Sequence, residues 1–376
     1  MQVEQRRWTR GPGWGPPREQ GFAGPANLVL LFGARKALSG STLAKLAEIY
    51  PDAQILGCST AGHIDDVHVM DDGIVATAVH FDSTRLRVGR VDLSQTQNSR
   101  DAGRRLGASL LGEDLRHVFV LSEGLLVNGS ELVRGMAEVL PAEVAVTGGL
   151  SGDGARFEGT RVCVGTGAAG GIIAALGLYG QRLRVGYASV GGWDPFGPER
   201  LVTRAQGNIL YELDDRSALA LYKTYLGKHA AGLPASGMLF PLAIRGANGD
   251  PPVVRTVLRI DEHNQSMTFA GDIPEGGYVR LMRANFERLI EGASEAALAA
   301  GGATFAADMA LLVSCVGRKQ VLQQRVEEEI ESVRQVLGER VALAGFYSYG
   351  EIAPFAASAR CELHNQTMTI TTLAES

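Results

Sequence analysis

The chain alternates short apolar runs with longer stretches whose apolar residues recur at helical spacing. From Leu28, the run LVLLF predicts a buried strand, and TLAKLAEIY after it places its leucines and Tyr50 on one helical face. Pro51 ends this helix, and QIL then leads into the glycine-bounded phrase GCSTAG. This order predicts a strand–helix–strand unit that closes on a glycine turn.

The same unit returns twice further along the chain. From His117, the strand HVFVL precedes the helix NGSELVRGMAEVL, the strand EVAVT and the phrase GLSGDG. From Met309, the strand MALLVSC precedes the helix VLQQRVEEEIESVRQVL, the strand ERVALA and the phrase GFYSYG. Repetition at this level predicts an architecture built from related modules.

In each module, two glycines stand five positions apart, at 57 and 62, at 149 and 154, and at 345 and 350. Glycine permits positive φ and close backbone approach, and ligands of open α/β sheets bind beyond the strand ends. We therefore predict that the three turns line one cleft. The polar side chains that they would offer are Cys58, Ser59, Thr60, His63, Ser151, Asp153, Tyr347, Ser348, Tyr349 and Glu351.

A structural interpretation of these turns stands beside the functional one. Glycine turns after strands more often serve topology than chemistry, and duplication copies scaffolds as readily as sites. The unlike polar residues of CST, LSGD and FYSY favour a ligand-binding role, because a turn needed only for topology does not require two tyrosines and a glutamate.

Further strand-like runs follow each glycine turn and read as antiparallel hairpins. Residues 263–268 read HNQSMT and residues 364–369 read HNQTMT, and Asn-Gln between two strands is typical of a hairpin tip. We predict an α/β fold with α+β character, built of repeated strand–helix–strand modules with antiparallel hairpins. A break near Gly207 divides it into two fused domains, 27–206 and 207–376, after a flexible tail at 1–26.

Composition narrows the class of protein. The 376 residues exceed one ordinary core, and 45% hydrophobic with 20% charged residues is typical of a globular protein. A net charge of -5 argues against a nucleic-acid partner, and no apolar run is long enough to insert into a membrane. Four distant cysteines, with no CxxC pair and no targeting signal, favour reduced thiols in the cytoplasm.

Several of these motifs resemble those of one protein family. The chain is similar to FIST-domain proteins, with both the N-terminal and the C-terminal FIST region, over residues 27–373. The resemblance is carried by GCSTAGHI, GGLSGDGARF, GLYGQRLRVG, GNILYELDDRSALALYKTYLG, FAGDIPEG, LLVSCVGRK, GFYSYGEI and ELHNQTMTIT.

The resemblance implies a bacterial sensory protein that binds a small ligand, with amino acids or their derivatives as the proposed class. Such regions occur alone or joined to kinase, cyclase or chemotaxis domains. Some stand-alone members bind haem b, respond to nitric oxide and act on a histidine kinase. Because residues 1–26 are too few for an output domain, we expect a separate partner, such as a histidine kinase or a cyclase.

A haem iron would need an axial side chain in an apolar pocket. The candidates are His63, His68, His364 and Cys315, and the absence of CxxCH excludes covalent haem attachment. His364 belongs to a motif shared with the family, but its predicted hairpin position favours hydrogen bonding to backbone. His63 stands where the third module has Glu351, which weakens the argument for an imidazole ligand there.

A cysteine nucleophile is the alternative chemistry. Cys315 precedes Arg318 and Lys319, and nearby cations lower the pKa of a thiol. A buried cysteine at a strand end, with the two cations in solvent or holding an acidic ligand, is the simpler interpretation. No motif for a metal site, a dinucleotide or a P-loop is present.

The sequence therefore favours a cytoplasmic ligand-binding sensor, with haem-based nitric oxide sensing and binding of an amino-acid-like molecule as the two candidate modes. Two other hypotheses stay open. One is an enzyme of unknown reaction with Cys58 or Cys315 as nucleophile and His63 or Glu351 as base. The other is an interaction scaffold whose glycine turns are structural.

Overall fold

The computed structural model describes residues 1–18, 22, 24–245, 252–302, 305–354 and 361–376. The first part of the chain contains β1 (Gln2–Thr9), β2 (Gly13–Trp14), β3 (Leu28–Gly33), α1 (Gly40–Ile49), β4 (Gln54–Ser59), β5 (His63–Asp65), β6 (His68–Met70), β7 (Ile74–His80), β8 (Arg85–Asp92), α2 (Ser99–Leu110), β9 (Leu115–Ser122), α3 (Gly129–Ala137) and β10 (Ala145–Leu150).

The middle part contains β11 (Val162–Val164), β12 (Gly167–Ala169), β13 (Ile172–Tyr179), β14 (Leu183–Val190), β15 (Asp194–Gln206), β16 (Ile209–Leu213), β17 (Arg216–Ser217), α4 (Ala218–Leu226), β18 (Leu242–Arg245), β19 (Val253–Arg255), β20 (Val257–Asp261), β21 (Ser266–Phe269) and β22 (Tyr278–Arg283). The last part contains α5 (Phe286–Ala297), β23 (Met309–Cys315), α6 (Val316–Leu322), α7 (Val326–Leu337), β24 (Ala342–Ser348), β25 (Gly350–Pro354), β26 (Cys361–His364) and β27 (Met368–Glu375).

The three predicted strand–helix–strand modules are confirmed. In each module the two strands pair in parallel: β3 with β4, β9 with β10, and β23 with β24. The module helices are α1, α3 and, in the third module, α6 and α7. Asparagine or serine caps the first two helices, since Ser39 accepts from the backbone N–H of Thr42 and Asn128 from that of Glu131.

Each module forms the centre of its own sheet, and the three sheets share one plan. The first sheet runs β12-β11-β4-β3-β7-β1-β2, the second β26-β25-β10-β9-β13-β8, and the third β6-β5-β24-β23-β27-β14. A short hairpin flanks one side of each parallel pair, and an antiparallel strand flanks the other. The repetition seen in the sequence therefore extends to whole sheets.

The hairpin that follows each module joins the sheet of another module. After β4 the chain crosses to β5 and β6, which pair with β24 of the third sheet. After β10 it crosses to β11 and β12 in the first sheet, and after β24 to β25 and β26 in the second. The exchange is cyclic, so no module completes its sheet alone.

The predicted pairing of the later strands was wrong, although their strand character was right. β7 and β8 lie in different sheets, as do β13 and β14, and β26 and β27. The tip HNQSMT does join paired strands, β20 and β21, but HNQTMT carries the chain from the second sheet to the third. An apolar run specifies a strand that is buried on both faces, and it carries no information about the partner strand.

A fourth sheet is built from residues 194–283 in the order β19-β18-β22-β15-β16-β21-β20, with β17 paired to β16. Its own core packs around Leu219, Tyr222 and Phe269. Gly207 lies in the turn between β15 and β16. The boundary between the two domains, at residues 206 and 207, stays a prediction.

The prediction of a flexible tail is wrong for Gln2–Thr9, which forms β1. This strand pairs with β7 over seven residues, from Gln2 opposite His80 to Trp8 opposite Ile74. Gln5 is buried, and its Nε2 donates to Thr77 Oγ1 at 3.1 Å and to the Leu343 carbonyl at 2.9 Å. The edge of β7 offered unpaired backbone groups, and pairing them outweighs the low apolar content of the segment.

Within the described part of the chain, none of the helices has the length and the apolar character of a membrane span.

Candidate ligand cavity between the modules

The three glycine turns contact one another. We call residues 57–62 the first turn, 149–154 the second and 345–350 the third. Backbone hydrogen bonds join every pair of turns. They include Gly152 N to Ser59 O at 2.9 Å, Tyr349 N to Leu150 O at 3.1 Å, and, in both directions between the first and third turns, Ala61 N to Tyr347 O and Tyr347 N to Gly62 O, each at 2.8 Å.

Close packing, and not a cleft, occupies the point where the turns meet. A Cβ added to Gly152 would lie 2.6 Å from Ala61 N, so this position requires glycine for the approach of the two backbones. Ser59 Oγ donates to the Gly152 carbonyl and Ser151 Oγ to the Ser122 carbonyl, each at 2.8 Å. The serines of the first two turns therefore satisfy backbone groups inside the junction.

A cavity of about 310 Å³ opens beside this junction. It lies where the loop after β9, the second and third turns, the start of α6 and the fourth sheet come together. The residues that line it are 124–129, Leu150, Phe157, Asn208, Met238, Thr256, Leu258, 269–271, 315–317, Tyr349, Leu363 and Asn365.

Of the predicted site residues, Tyr349 and Cys315 line this cavity. Tyr349 connects two turns, because its hydroxyl accepts from Asp153 N at 3.0 Å and donates to the Gly154 carbonyl at 3.1 Å. Phe157 stacks on its ring with centroids 4.4 Å apart and adopts a φ of 54°, which is unfavourable for a phenylalanine. The pair forms one aromatic wall of the cavity.

Cys315 is buried at the end of β23, and burial raises the pKa of its thiol well above the usual range, with the nearby Glu351 carboxyl adding to the effect. The predicted lowering of this pKa by Arg318 and Lys319 is wrong. Arg318 is buried against Glu329, whose Oε2 lies 2.8 Å from Nη2, and Lys319 Nζ donates to the Ala61 carbonyl at 3.0 Å. Both cations are held by these partners, and burial of the sulfur outweighs the lowering of its pKa by Arg318.

Glu351 is buried behind the cavity. Ser348 Oγ at 2.6 Å and Thr367 Oγ1 at 3.0 Å donate to its carboxyl group. Burial nevertheless dominates these hydrogen bonds and raises the pKa of Glu351 to about 8. The group is therefore largely a neutral acid at pH 7.

The histidines proposed as haem ligands lie elsewhere. His364 Nε2 lies 2.9 Å from the Ala353 carbonyl, and burial lowers the pKa of His364 and of His63 to about 4. His68 is exposed beside Glu327. None of the three is among the described residues that line the cavity, and the raised pKa of Cys315 disfavours the thiolate that iron would need. The cavity therefore does not fit a histidine- or thiolate-ligated haem.

The remaining predicted residues support the turns. Asp153 is fully buried between Arg35 and Arg156. Thr60 Oγ1 accepts from Gly62 N at 3.3 Å, and Tyr347 Oη donates to Glu329 Oε1 at 2.6 Å. Cys58 is buried in the core between β3 and β11, and burial raises the pKa of its thiol. Within the described ranges, no cluster of three or more His, Cys, Asp or Glu could hold a metal ion.

Sequence reasoning missed most of the cavity lining. The loop 124–129 and Thr256 carry no motif that indicates a binding site, and the motif of Asn365 is visible only as a repeat of residues 263–268. The repeat pointed to a hairpin tip, and nothing in it distinguished the exposed Asn264 from the buried Asn365.

Comparison with known proteins identifies the two halves of the chain. Residues 27–216 match the FIST N domain and residues 218–354 match the FIST C domain. A search of curated proteins finds no match. Among solved structures, cyanuric acid hydrolase from A. caulinodans is similar over 100% of this chain and 99% of its own, with 10% sequence identity and a TM-score of 0.33. The two domain matches together cover most of the sequence, and the chain belongs to the FIST family.

Proposed function

We propose that this protein is a sensor whose small ligand occupies the cavity between the modules and the fourth sheet. FIST domains are small-ligand sensory domains of signalling proteins. The bound state would be transmitted to a separate signalling protein, of the histidine kinase or cyclase type, in the cytoplasm. The observation that carries the proposal is a mainly apolar cavity of about 310 Å³ formed by residues of both matched domains.

One side chain connects this cavity to the contact between the two domains. Asn128 lines the cavity, and its Oδ1 accepts from Glu131 N at 3.1 Å to cap α3. Its Nδ2 donates to Asp272 Oδ1 at 3.0 Å, and Asp272 also accepts from Arg134 Nη1 at 2.8 Å. A ligand that moves Asn128 therefore acts on α3 and on the fourth-sheet domain together. A ligand shifts a protein between two states only if it interacts differently with each of them, and the contacts of Asn128 would provide that difference.

The enzyme hypothesis gains no support from the nucleophiles that it requires. Cys58 and Cys315 are buried, and burial raises the pKa of both thiols. A thiol held in the protonated form is a poor nucleophile. The scaffold hypothesis accounts for the closed packing of the three turns, but it does not account for the open cavity beside them.

Filling the cavity tests the proposal. Ala270 is half-buried on the cavity wall, and Ala270→Trp would occupy the space that a ligand needs. Leu111→Trp is the matched control, because Leu111 is exposed and does not line the cavity. We expect native mass spectrometry to detect a small molecule from a cell extract on the wild type and on Leu111→Trp, and none on Ala270→Trp.

Equal retention of small molecules by all three proteins would show that the cavity is not their site. Retention by none of them, together with no thermal stabilisation by the extract, would also contradict the proposal. Circular dichroism of Ala270→Trp must match that of the wild type for the comparison to count.

A further inference from the structure

We infer that the cavity takes an uncharged ligand with a carboxamide-like group, in which an N–H donor and a carbonyl acceptor stand side by side on an apolar or aromatic body. This inference rests on the proposed function and names the chemical class of its ligand. It follows from the charge of the lining, from one unpaired acceptor and from one unused donor.

The lining of the cavity carries no ionised side chain among the described residues. Its polar side chains are three asparagines, a threonine, a tyrosine and the protonated Cys315 thiol. An ionised ligand would give up its hydration here without gaining a counter-ion, which is costly in an apolar site. The lining therefore disfavours a zwitterion, a carboxylate and an ammonium group, and it admits a neutral molecule.

Asn365 supplies an acceptor that the protein leaves unused. The residue is 1% exposed and lines the cavity, and its Oδ1 has no hydrogen-bond partner among the described residues. Its Nδ2 donates to the His364 carbonyl at 2.9 Å, which fixes the orientation of the amide, since the reversed orientation would place two oxygens together. A buried unpaired oxygen is unfavourable, and a ligand N–H would satisfy it.

Thr256 supplies the complementary donor. Its Oγ1 accepts from Gln366 Nε2 at 3.0 Å, so the hydroxyl proton is directed elsewhere. No described residue accepts this proton, and Thr256 lines the same cavity as Asn365. A carboxamide presents an N–H and a C=O, which are the donor and the acceptor that Asn365 and Thr256 lack.

Apolar side chains surround the mouth of the cavity. Leu126 is 73% exposed and Leu258 is 47% exposed, and both line the cavity together with Phe157. Exposed large apolar residues concentrated at one opening are typical of a binding site. The ligand body that they would cover is apolar.

A carboxylate ligand is the main competing class, because Arg255 is buried behind the wall. A Cβ on the cavity-lining Gly271 would lie 2.6 Å from Arg255 Nε. Arg255 Nε has no hydrogen-bond partner among the described residues. However, Arg255 does not line the cavity, and its Nη1 donates to the Leu363 carbonyl at 2.8 Å and to the Val254 carbonyl at 3.3 Å. The start of α3 also faces the cavity, where Asn128 already caps it.

Four probes that share one ring separate these classes: benzamide, benzoate, benzylamine and methyl benzoate. Benzamide is neutral and has an N–H donor, benzoate is anionic, benzylamine is cationic, and methyl benzoate is neutral without an N–H donor. We expect benzamide to bind the wild type at least about tenfold more tightly than benzoate or benzylamine, and about fivefold more tightly than methyl benzoate. Ligand-detected NMR titration measures these weak affinities.

Asn365 variants test the hydrogen bond. Asn365→Ala would remove the preference for benzamide over methyl benzoate, and Asn365→Asp would shift the preference towards benzylamine. Asn264→Asp is the matched control, because Asn264 occupies the same position of the repeated motif but is exposed at the β20–β21 tip. It would leave all four affinities unchanged. If Asn365→Asp does not fold, Asn365→Ala still tests the hydrogen bond.

The outcomes separate this inference from the proposed function. Binding of benzoate or benzylamine as tight as that of benzamide, and abolished by Ala270→Trp, would overturn the ligand class but support the cavity as a site. Binding of any probe that survives Ala270→Trp unchanged would count against the cavity itself. A wild type that does not bind benzamide would overturn the ligand class.

Discussion

Glu351 is the residue at which burial most clearly decides the chemistry. Its carboxyl group is 0% exposed and accepts from Ser348 and Thr367, which would ordinarily favour the ionised form. Desolvation exceeds the effect of these hydrogen bonds and raises the pKa to about 8 from 4.5. The sequence places Glu351 beside a glycine turn. Its burial follows from the position of β25, which joins the sheet of another module.

The raised pKa of Glu351 predicts a loss of stability with rising pH. The folded-state pKa lies above the unfolded one, so the neutral carboxyl stabilises the fold fully below pH 4.5, and this contribution is lost as pH rises through 8. Between pH 7 and 8, where the folded-state carboxyl itself begins to ionise, we expect the free energy of unfolding to fall by about 1 kcal/mol from this group alone. In Glu351→Gln this decline should disappear.

Thermal melts of wild type and Glu351→Gln at pH 6.5, 7.0, 7.5 and 8.0 would measure the difference. Glu339→Gln, at an exposed position, is the control and should follow the wild type. Below pH 6.5 the buried His63, His117 and His364, whose pKa values are lowered to about 4, 3 and 4, act in the opposite direction. Parallel curves for wild type and Glu351→Gln above pH 7 would contradict the prediction.

The buried thiols give a second prediction at this scale. Burial raises the pKa of Cys58, Cys163 and Cys315, the second to about 12. Because the thiolate is the reactive form, we expect iodoacetamide to alkylate these residues in the folded protein at pH 7.5 at least about 100-fold more slowly than in urea. Peptide mass spectrometry over time gives each rate separately, and fast native alkylation of Cys315 would restore the enzyme hypothesis.

Among the elements, the sequence predicted the three modules well because their signal is local. A parallel pair that is buried on both faces reads as an apolar run, and its helix as a 3.6-residue period that ends at proline or glycine. The prediction failed at Gln2–Thr9, where only Val3 and Trp8 suggest a strand and the Gly- and Pro-rich residues that follow it dominate the composition. The residues next to a polar edge strand in the sequence do not specify the strand with which it pairs.

Removal of the N-terminal strand should therefore be costly. Deletion of residues 1–10 would expose the edge of β7 and remove two hydrogen bonds of Gln5. One joins Thr77 within the first sheet, and the other joins Leu343 and so connects the first sheet to the third. We expect the midpoint of thermal unfolding to fall by several degrees, since the loss of seven paired residues exceeds about 2 kcal/mol.

The single substitution Arg10→Ala, at an exposed position after β1, is the control and should leave the midpoint within about one degree. If the deletion leaves the midpoint unchanged, residues 1–10 contribute as little to the stability of the fold as a flexible tail.

For the whole molecule, the sequence predicted a cleft lined by three equivalent turns, whereas the turns pack against one another. The equivalence of Ser59 and Ser151 was visible, whereas their hydrogen bonds to Gly152 and Ser122 depend on a cyclic exchange of hairpins that no local pattern records. The turns fill one another, and the cavity lies beside them, where the fourth sheet closes over the second and third turns. Its lining comes from segments up to about 240 residues apart, for example Gly124 and Asn365, so periodicity could not gather it.

The contact between the domains gives a prediction on how ligand occupancy is transmitted. Asp272 receives Asn128 Nδ2 from the cavity wall and Arg134 Nη1 from α3, and Arg134 is half-exposed. Asp272→Ala should therefore lower stability by only about 1 kcal/mol. It should also uncouple α3 from the cavity: benzamide would still bind, but it would no longer slow hydrogen exchange at the start of α3.

Glu262→Ala is the control. It removes the exposed ion pair with Lys223, which lies within the part of the chain that forms the fourth sheet, and it should keep this protection. If Asp272→Ala retains the full benzamide-dependent protection of α3, the signal does not pass through this contact, and another contact between the domains must transmit it.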